Sequence, residues 1–331
     1  MKLPRHLIRF LKVSGLVTLC LVVLLCYLWA LGALWFDGPG KTFAIIQAVA
    51  LPVVCCLVRP WRKKIIIFSS WFAIILIAWL CLRPGNEGDW QPDVAQLAYA
   101  EIEGDIVTLH NVRDCDYRST TDYTARWEKR TVRLSQITGI DLFVCTWGSP
   151  YMAHPIASFQ FADAPPVCVS IETRKKNGQS YSAIGGLYRQ FTLVYTVAEE
   201  RDVVRLRTNF REGQDCYLYR LQVTPEHARE RFLEYLKAMN RLHDHPRWYN
   251  ALTTNCTTAI RQQRNAAKRL PFDWRMLVNG KGDEMLYERR YIHTGGLPFA
   301  ELKQRSRVND AARACQDLDQ FSSFVRRGIT W

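Results

Sequence analysis

Acidic side chains are nearly missing from the first quarter of the chain. Residues 1–83 contain ten Lys or Arg residues but a single acid, Asp37. The rest of the chain is almost balanced, with 34 basic and 30 acidic side chains. The net charge of +13 therefore belongs mostly to the N-terminal region. It does not predict a nucleic-acid partner, which would need basic residues gathered on a folded domain.

The sequence also lacks a Cys-x-x-Cys pair, metal-ligand spacings, internal repeats and low-complexity segments. Five of its cysteines lie in apolar runs before residue 83. Six lie beyond it, and these are Cys115, Cys145, Cys168, Cys216, Cys256 and Cys315. This scatter predicts neither a zinc site nor any other metal or cofactor. If Cys256 is kept as a free thiol, at least one more of the six must also be unpaired.

Long apolar runs dominate the N-terminal region. Residues 13–36 are long enough to span a bilayer, and residues 65–82 form another such run. Residues 42–58 are shorter and contain a proline, but they can span a slightly thinned bilayer. The first run is too long for a cleaved signal peptide, and no Ala-x-Ala site follows it. The sequence therefore predicts a membrane domain over residues 1–83 with three transmembrane helices.

The basic residues predict how these helices are oriented. Four of them precede the first apolar run, and four more lie in 59-RPWRKK-64, whereas the loop 37-DGPGK-41 is nearly neutral. The positive-inside rule then places the N-terminus and the 59–64 loop in the cytoplasm. With three spans, everything after Arg83 lies on the other side. We therefore expect a multi-pass protein of a bacterial inner membrane, with its C-terminal domain in the periplasm.

Beyond the membrane domain, the spacing of hydrophobic residues changes once, from the period of strands to the period of helices. Short alternating runs predict strands at 105–112, 140–147, 155–161, 167–174, 192–197, 203–210 and 217–223. A helical period begins at Thr224, and a further helix opens at Cys256 and continues to about Arg269. We expect a polar linker over residues 84–98, an α+β domain with an antiparallel sheet over 99–305, and a tail over 306–331.

Cys256 lies among hydroxyl and amide side chains in 253-TTNCTT-258, where a helix begins. Asn and Thr at such a position satisfy the free backbone N–H groups of the first turn. A thiol there lies at the positive end of the helix dipole, which favours the thiolate and predicts a lowered pKa. A structural cysteine beside an ordinary N-cap fits the same stretch equally well, so the choice depends on a partner base.

A cysteine nucleophile needs a base, and the base needs a group that orients it. If residues 154–161 and 167–174 form a hairpin centred near Asp163, the numbers of paired positions add up to about 326. His154 then lies opposite Glu172 across an antiparallel pair. A surface Glu–His pair on a half-exposed sheet is the alternative interpretation, and the presence of Cys256 favours the site.

His110 is a second candidate for the base. It lies in 108-TLHNVRDCDYR-118, whose polar residues could equally bind substrate or cap turns. His227, His243 and His245 lie in or after a polar helix, and His293 lies in a loop. We interpret the first three as solvated residues.

The order of strand histidine, next-strand glutamate and helix-opening cysteine resembles the circularly permuted papain-like enzymes of the NlpC type. More closely, three segments resemble the extracytoplasmic domain of Lnb-type lipoprotein N-acyltransferases, over about residues 95–305 in total. These segments are 147-WGSPYMAHPIASFQF-161, 168-CVSIETRKKNGQSYSAIGG-186 and 250-NALTTNCTT-258.

The resemblance implies a permuted papain-like fold in which Cys256 is the nucleophile, His154 the base and Glu172 the orienting acid. It also implies acyl transfer through a thioester, with membrane lipids and a lipoprotein or another acyl ester as partners. A cell-wall amidase or peptidase of the NlpC type is an alternative. A non-catalytic envelope interaction module, which would tolerate loss of the thiol, is another.

Overall fold

The computed structural model describes residues 4–263, 271, 273–276 and 279–329. These residues form two compact units. Unit 1 holds the chain up to Pro84 together with Ser182–Gln190, and unit 2 holds Gly85–Tyr181 and the chain from Phe191 onward.

Unit 1 contains three apolar helices, α1 (Arg5–Asp37), α2 (Lys41–Leu57) and α3 (Trp61–Cys81). The stretch Arg9–Asp37 of α1 and the whole of α3 are long and apolar enough to cross a membrane. Helix α2 is apolar but has only 17 residues. Two membrane-capable helices are thus present by length and composition, and α2 as a third span stays a prediction.

The segment Ser182–Gln190 belongs to unit 1, although in the sequence it lies between two strands of unit 2. It is held by the carboxylate of Asp37, the one acid of the first 83 residues. This carboxylate accepts hydrogen bonds from the backbone N–H of Arg189 at 2.9 Å, the side-chain amide of Gln190 at 2.8 Å and the indole of Trp79 at 2.8 Å. No sequence pattern indicates this contact.

Unit 2 is built on an eight-stranded sheet. The strands of the unit are β1 (Tyr99–Glu103), β2 (Ile106–Arg113), β3 (Asp116–Tyr117), β4 (Tyr123–Thr124), β5 (Trp127–Arg133), β6 (Ile137–Trp147), β7 (Ser149–Phe161), β8 (Val167–Arg174), β9 (Thr192–Ala198) and β10 (Gln214–Arg220). The large sheet has the order β1-β2-β9-β8-β7-β6-β10, with β5 beside β2, while β3 and β4 pair separately. Its neighbours are antiparallel except for the short β2–β9 pair.

The helices of unit 2 are α4 (Glu200–Val203), α5 (Pro225–Asp244), α6 (Cys256–Gln263), α7 (Gly282–Glu288), α8 (Phe299–Arg305), α9 (Asn309–Ala314) and α10 (Phe321–Phe324). Helix α5 begins where the period predicts, because the hydroxyl of Thr224 accepts a hydrogen bond from the N–H of His227. The predicted α+β class and the start of α6 are confirmed. The continuation of α6 towards Arg269 lies outside the described residues.

Two hydrophobic clusters cover the two faces of the sheet. On one face, which we call the α5 face, Phe159, Val169 and Ile171 pack with α5 and with Cys256. On the other, which we call the C-terminal face, Ile156 and Cys168 pack with α9 and α10. Since successive strand residues point to opposite faces, these clusters assign every neighbouring side chain of β7 and β8 to one face or the other.

The predicted strand over 203–210 is wrong. The chain forms α4 there, followed by a π-helical turn at Leu206–Phe210. The β-branched residues suggested a strand, but buried ion pairs determine the local structure. Asp202 accepts a hydrogen bond from Arg113 at 2.6 Å, and Glu200 accepts one from Arg326 at 2.6 Å. These tertiary contacts outweigh the strand propensity of the segment.

The predicted linker and tail are both integral parts of unit 2. In residues 84–98, the carbonyls of Val94 and Ala95 accept hydrogen bonds from the Arg174 guanidinium at 2.9 and 2.6 Å. After residue 305, Val308 and Phe321 are completely buried in the cluster on the C-terminal face. The composition of both stretches is polar, but a few residues in each dock on the sheet.

One disulfide joins Cys145 of β6 to Cys216 of β10, which lie directly opposite each other in the register. The remaining cysteines of unit 2 are free and buried, and these are Cys115, Cys168, Cys256 and Cys315. This agrees with the expectation that Cys256 is a free thiol and that at least one other cysteine is unpaired.

Candidate functional site

His154 and Glu172 lie next to each other, as the hairpin predicts. Strands β7 and β8 pair from Ile156↔Ser170 to Phe159↔Val167, so the paired numbers add up to 326. His154 lies two residues beyond Ile156, the last residue of β7 that pairs with β8, and its side chain points to the same face as that of Ile156. Its Nε2 atom is 3.7 Å from the Oε1 atom of Glu172. The predicted proximity is confirmed, while the catalytic roles stay a prediction.

The hydroxyl of Ser170 bridges the two groups. It donates a hydrogen bond to Glu172 Oε1 at 2.8 Å and lies 2.7 Å from His154 Nε2. A hydroxyl has one proton, so a Ser170 that donates to Glu172 must accept from the imidazole. We therefore assign the proton of neutral His154 to Nε2. The lone pair is then on Nδ1, which is the atom that could act as a base.

Arg207 completes this cluster, since its Nη2 atom lies 3.3 Å from Glu172 Oε1. Burial, and then the charge of Arg207, lowers the pKa of His154 to about 3, so the imidazole is neutral at physiological pH. Burial would raise the pKa of Glu172, but Arg207 and the other nearby cationic groups hold it well below its usual range. The cluster is thus a neutral base backed by a charged acid.

The polar residues around Cys256 form the cap of α6. The side chain of Asn255 accepts a hydrogen bond from the N–H of Thr258 at 2.9 Å, and the hydroxyl of Thr258 accepts one from the N–H of Asn255 at 2.9 Å. This is a reciprocal capping box with threonine in the place usually taken by an acid or amide. It fixes Cys256 as the first residue of the helix.

The thiol of Cys256 has a side-chain amide as a neighbour. Asn279 Nδ2 donates to the sulfur at 3.2 Å, and Asn279 is oriented by a 2.6 Å hydrogen bond from the hydroxyl of Thr257. The next residue, Gly280, packs directly on β7. A Cβ atom there would lie 2.3 Å from the carbonyl oxygen of Pro150, so only glycine permits this approach.

The lowered thiol pKa that the helix start predicts is not found. Burial raises the pKa of Cys256, and this outweighs the opposing effects of the Thr257 hydrogen bonds and the Arg207 charge. The residue is 8 % exposed. Removal from water penalises the thiolate, and at this position the penalty exceeds the modest stabilisation that a helix start provides. The thiol is therefore protonated at rest.

Cys256 and His154 lie on different faces of the sheet. The thiol packs on the α5 face, while Ser170, to which the imidazole is hydrogen-bonded, alternates with Val169 and Ile171 and so points to the C-terminal face. In the described part of the chain no hydrogen bond joins the thiol to the imidazole. The sequence specifies the His154–Glu172 pair but does not reveal against which face α6 packs.

The sheet divides at the place where these groups lie. Strands β7 and β8 cease to pair beyond Ile156↔Ser170, where β7 continues with β6 alone and β8 with β9 alone. His154 and Glu172 each lie two residues past the last pair, Ile156 and Ser170. Arg207, which binds Glu172, is also close enough to Cys256 to lower the pKa of the thiol. Arg207 thus links the His154–Glu172 cluster electrostatically to the thiol.

His110, the second candidate base, is engaged elsewhere. Its Nε2 atom lies 3.2 Å from the carboxylate of Glu101, and its ring stacks on Tyr99 with the centroids 4.3 Å apart. Both partners belong to β1, at the edge of the sheet, and β9 and β8 separate β2 from β7. The described residues contain no hydrogen bond or ion pair that joins His110 to Cys256.

Comparison with known proteins identifies the class of this domain. Residues 123–280 match the family model of the Lnb N-terminal periplasmic domain, and this range contains His154, Glu172 and Cys256. The resemblance to the Lnb-type family is thereby confirmed, and the chain carries an Lnb-like periplasmic domain. Neither the curated proteins nor the solved structures contain a match to the chain.

Three residues of the candidate site were not found from the sequence. Ser170 could have been, because it shares a face of β8 with Glu172 and lies between it and the imidazole. Arg207 was missed because residues 203–210 were predicted to form a strand. Asn279 is 23 residues from Cys256 in a stretch without a regular hydrophobic period, and no local signal indicates that it returns to the thiol.

Proposed function

We propose that this protein is a membrane-anchored cysteine acyltransferase of the periplasmic face, which acts on lipoproteins or other lipid acyl esters through a thioester on Cys256. The observation that supports this most is a free thiol at a helix start, to which the Asn279 amide donates, in a domain that also holds a neutral histidine with a charged acid as its partner. The arrangement has the components of a thiol acyl-transfer site. The order of the three residues in the chain is similar to that of permuted papain-like enzymes.

In the first step, Nδ1 of His154 takes the proton of the Cys256 thiol, and the sulfur attacks the carbonyl carbon of the acyl ester. The tetrahedral intermediate collapses, the C–O bond breaks, and the imidazolium returns the proton to the departing alcohol. The products of this half-reaction are the thioester and the deacylated alcohol.

In the second step, an amine attacks the thioester carbonyl. His154 accepts the proton that the amine loses, the C–S bond breaks, and the thiolate takes the proton back from the imidazolium. The acyl chain leaves as an amide, and the enzyme returns to the neutral thiol and neutral imidazole from which it began.

This chemistry requires the imidazole to approach the thiol. Rotation of the His154 side chain at the division between β7 and β8 would carry Nδ1 towards Cys256, and substrate would favour the rotated state. Catalytic hydrogen bonds are often long or absent before substrate binds, so an open pair at rest is compatible with the mechanism. Glu172, 3.7 Å from the imidazole at rest, would stabilise the imidazolium that forms.

The oxyanion of each tetrahedral intermediate needs hydrogen-bond donors. The side-chain amide of Asn279, which donates to the sulfur at rest, is one, and the backbone N–H of Cys256 is the other. Each donor of this kind is worth about 3 kcal/mol in the transition state. Burial of Cys256 and His154, which are each 8 % exposed, keeps bulk water from the thioester and favours transfer over hydrolysis.

The membrane helices anchor the enzyme where its acyl donor lies. A periplasmic domain and a cytoplasmic, basic N-terminus require an odd number of spans. Helix α2 would therefore cross the membrane with α1 and α3. Its 17 residues reach about 25 Å, slightly less than a hydrocarbon core of about 30 Å, and a slightly thinned bilayer covers the difference.

Variants of the proposed triad test this function. Cys256→Ala should abolish both the acyl adduct and turnover, and His154→Ala should be almost inactive. Glu172→Gln should still form some adduct, while turnover falls by about 10⁴-fold or less, as for the orienting acid of a serine protease. His110→Ala is the matched control and should keep clearly more activity than His154→Ala. If the His110 variant were inactive and the His154 variant active, the base would be His110 and not His154. Full function in Cys256→Ser would favour a non-catalytic module.

A further inference from the structure

A cavity of about 500 Å³ lies on the α5 face of unit 2. Its floor is formed by β6 and β7, its walls by α5 and α6, and its far side by α7. The lining is mainly aliphatic and aromatic, and it includes Leu142, Val144, Ala157, Phe159, Ile260 and Met285. A volume of this size is typical of a binding site for a small apolar molecule.

The cavity is an apolar cleft that is partly open to solvent. Side chains in a core normally fill the space between elements and leave few voids larger than a water molecule. Here the described side chains of two strands and three helices leave an apolar space between them. An apolar ligand would restore the contacts that these side chains lack.

Two of the arginines at the rim are paired with carboxylates of the protein. Arg231 forms an ion pair with Glu234, and Arg275 forms ion pairs with Asp273 and Glu288. These two cations lie beside the cavity but are already neutralised by their own carboxylates. An anion at either of these two arginines would have to displace its partners, whereas a hydrocarbon chain would not.

Two neighbours of the candidate nucleophile lie on the lining of the cavity, although Cys256 itself does not. Thr257 and Asn279 both line the cavity, and each has a polar side-chain atom within hydrogen-bonding distance of the sulfur of Cys256. A chain that enters beside these two residues would have its first carbon atoms near the thiol and its methyl end over β6 and β7.

We infer that this cavity binds the acyl chain of the substrate, with the ester carbonyl at Asn279 and the chain along the floor of the sheet. The inference rests on the proposed acyl-transfer function and adds to it the place where the chain lies. It also explains why the thiol is buried on the α5 face of the sheet, since the cavity lies on the same face.

Photo-crosslinking tests the position of the chain without acyl transfer. The probe is a neutral glycerol monoalkyl ether with a diazirine at the end of the alkyl chain. An ether cannot acylate Cys256, so labelling reports binding alone. With the full chain in lipid nanodiscs, peptide mass spectrometry should find the label on β6 and β7, at positions such as Leu142 and Phe159. Labels confined to α1–α3 would overturn the inference.

A cavity-filling variant and a matched control sharpen the test. Leu142→Trp should lower labelling of β7 by about tenfold, because the indole displaces at least two methylenes of the chain at about 0.8 kcal/mol each. Ile106→Trp places the same ring on an exposed position of β2 and should label as the unchanged protein does. Undiminished β7 labelling in Leu142→Trp contradicts the inference. If that variant does not fold, the labelled positions in the unchanged protein still test the inference.

An ester donor separates this inference from the proposed function. Equal acyl adduct formation on Cys256 in the unchanged protein and in a folded Leu142→Trp variant would reject the cavity as the chain site and leave the acyltransferase intact. Labelling of the cavity floor by the ether, with no adduct from the ester, would support the cavity and reject acyl transfer.

Discussion

The burial of His154 as a neutral imidazole makes the stability of unit 2 depend on pH in a defined direction. Its pKa is lowered from 6.5 to about 3 by burial and by Arg207. Between these values the unfolded chain binds a proton that the folded chain does not. The stability that neutral His154 contributes to the folded state is therefore fully present above pH 6.5 and is lost as the pH falls towards 3.

The size of this effect follows from the shift. One pKa unit corresponds to about 1.4 kcal/mol, so acidification from neutral pH to about pH 5, roughly 1.5 units below the ordinary value, should cost about 2 kcal/mol of the unfolding free energy. At pH 5 the carboxyl of Glu172, whose usual pKa is 4.5 and whose folded pKa is lower, contributes little. The change in this window therefore belongs mainly to His154.

Denaturant unfolding of the full chain, followed by tryptophan fluorescence at pH 7.5 and at pH 5, measures the effect. His154→Gln lacks the titrating group and should lose about 2 kcal/mol less on acidification than the unchanged protein. His293→Gln is the control, because His293 is exposed and should leave the pH dependence unchanged. Equal losses in the unchanged protein and in His154→Gln would refute the assignment of His154 as a buried neutral base.

Three further predictions concern the thiol, the serine bridge and the membrane topology. Burial raises the pKa of Cys256, so its alkylation by iodoacetamide should increase only at a pH above the ordinary thiol value of about 8.5; rapid alkylation at pH 6 would contradict this. Ser170→Ala removes the bridge between imidazole and carboxylate and should cost about 1–3 kcal/mol of stability, with a kcat loss that Ser170→Thr partly restores; an unchanged kcat in Ser170→Ala would exclude a positioning role. A reporter that is active only in the periplasm should work when fused after Gly88 and fail when fused within 59–64, and the reverse result would place unit 2 in the cytoplasm.

Features with local causes could be predicted from the sequence. The hairpin register follows from a turn near Asp163 and from alternation on two strands, and it correctly predicted that His154 lies near Glu172, although the strands no longer pair there. The cap of α6 follows from the side chains on either side of Cys256, and the class of the domain from the change of period at Thr224. In each case neighbours in the chain supply the interactions that fix the structure.

Features that depend on distant contacts could not be predicted. The segment 203–210 has the composition of a strand but is held as a helical turn by Arg113 and Arg326, which lie far from it in the chain. The polar composition of 306–331 suggested a tail, because burial of a few residues on a sheet face leaves no long periodic pattern. The resting pKa of Cys256 depends on its burial under the cluster of the α5 face, and the cap alone suggested the opposite direction.

Intact mass spectrometry of the purified full chain tests the central claim most directly. The protein is incubated with a diacylglyceryl lipoprotein or a phospholipid in the absence of an acceptor amine, and the adduct is mapped by peptide sequencing. We predict a mass increase of one acyl group on Cys256 that hydroxylamine removes, that Cys256→Ala lacks and that addition of an acceptor amine discharges. An unmodified Cys256 in protein that turns over substrate, or an equal adduct in Cys256→Ala, would contradict a thioester on this residue.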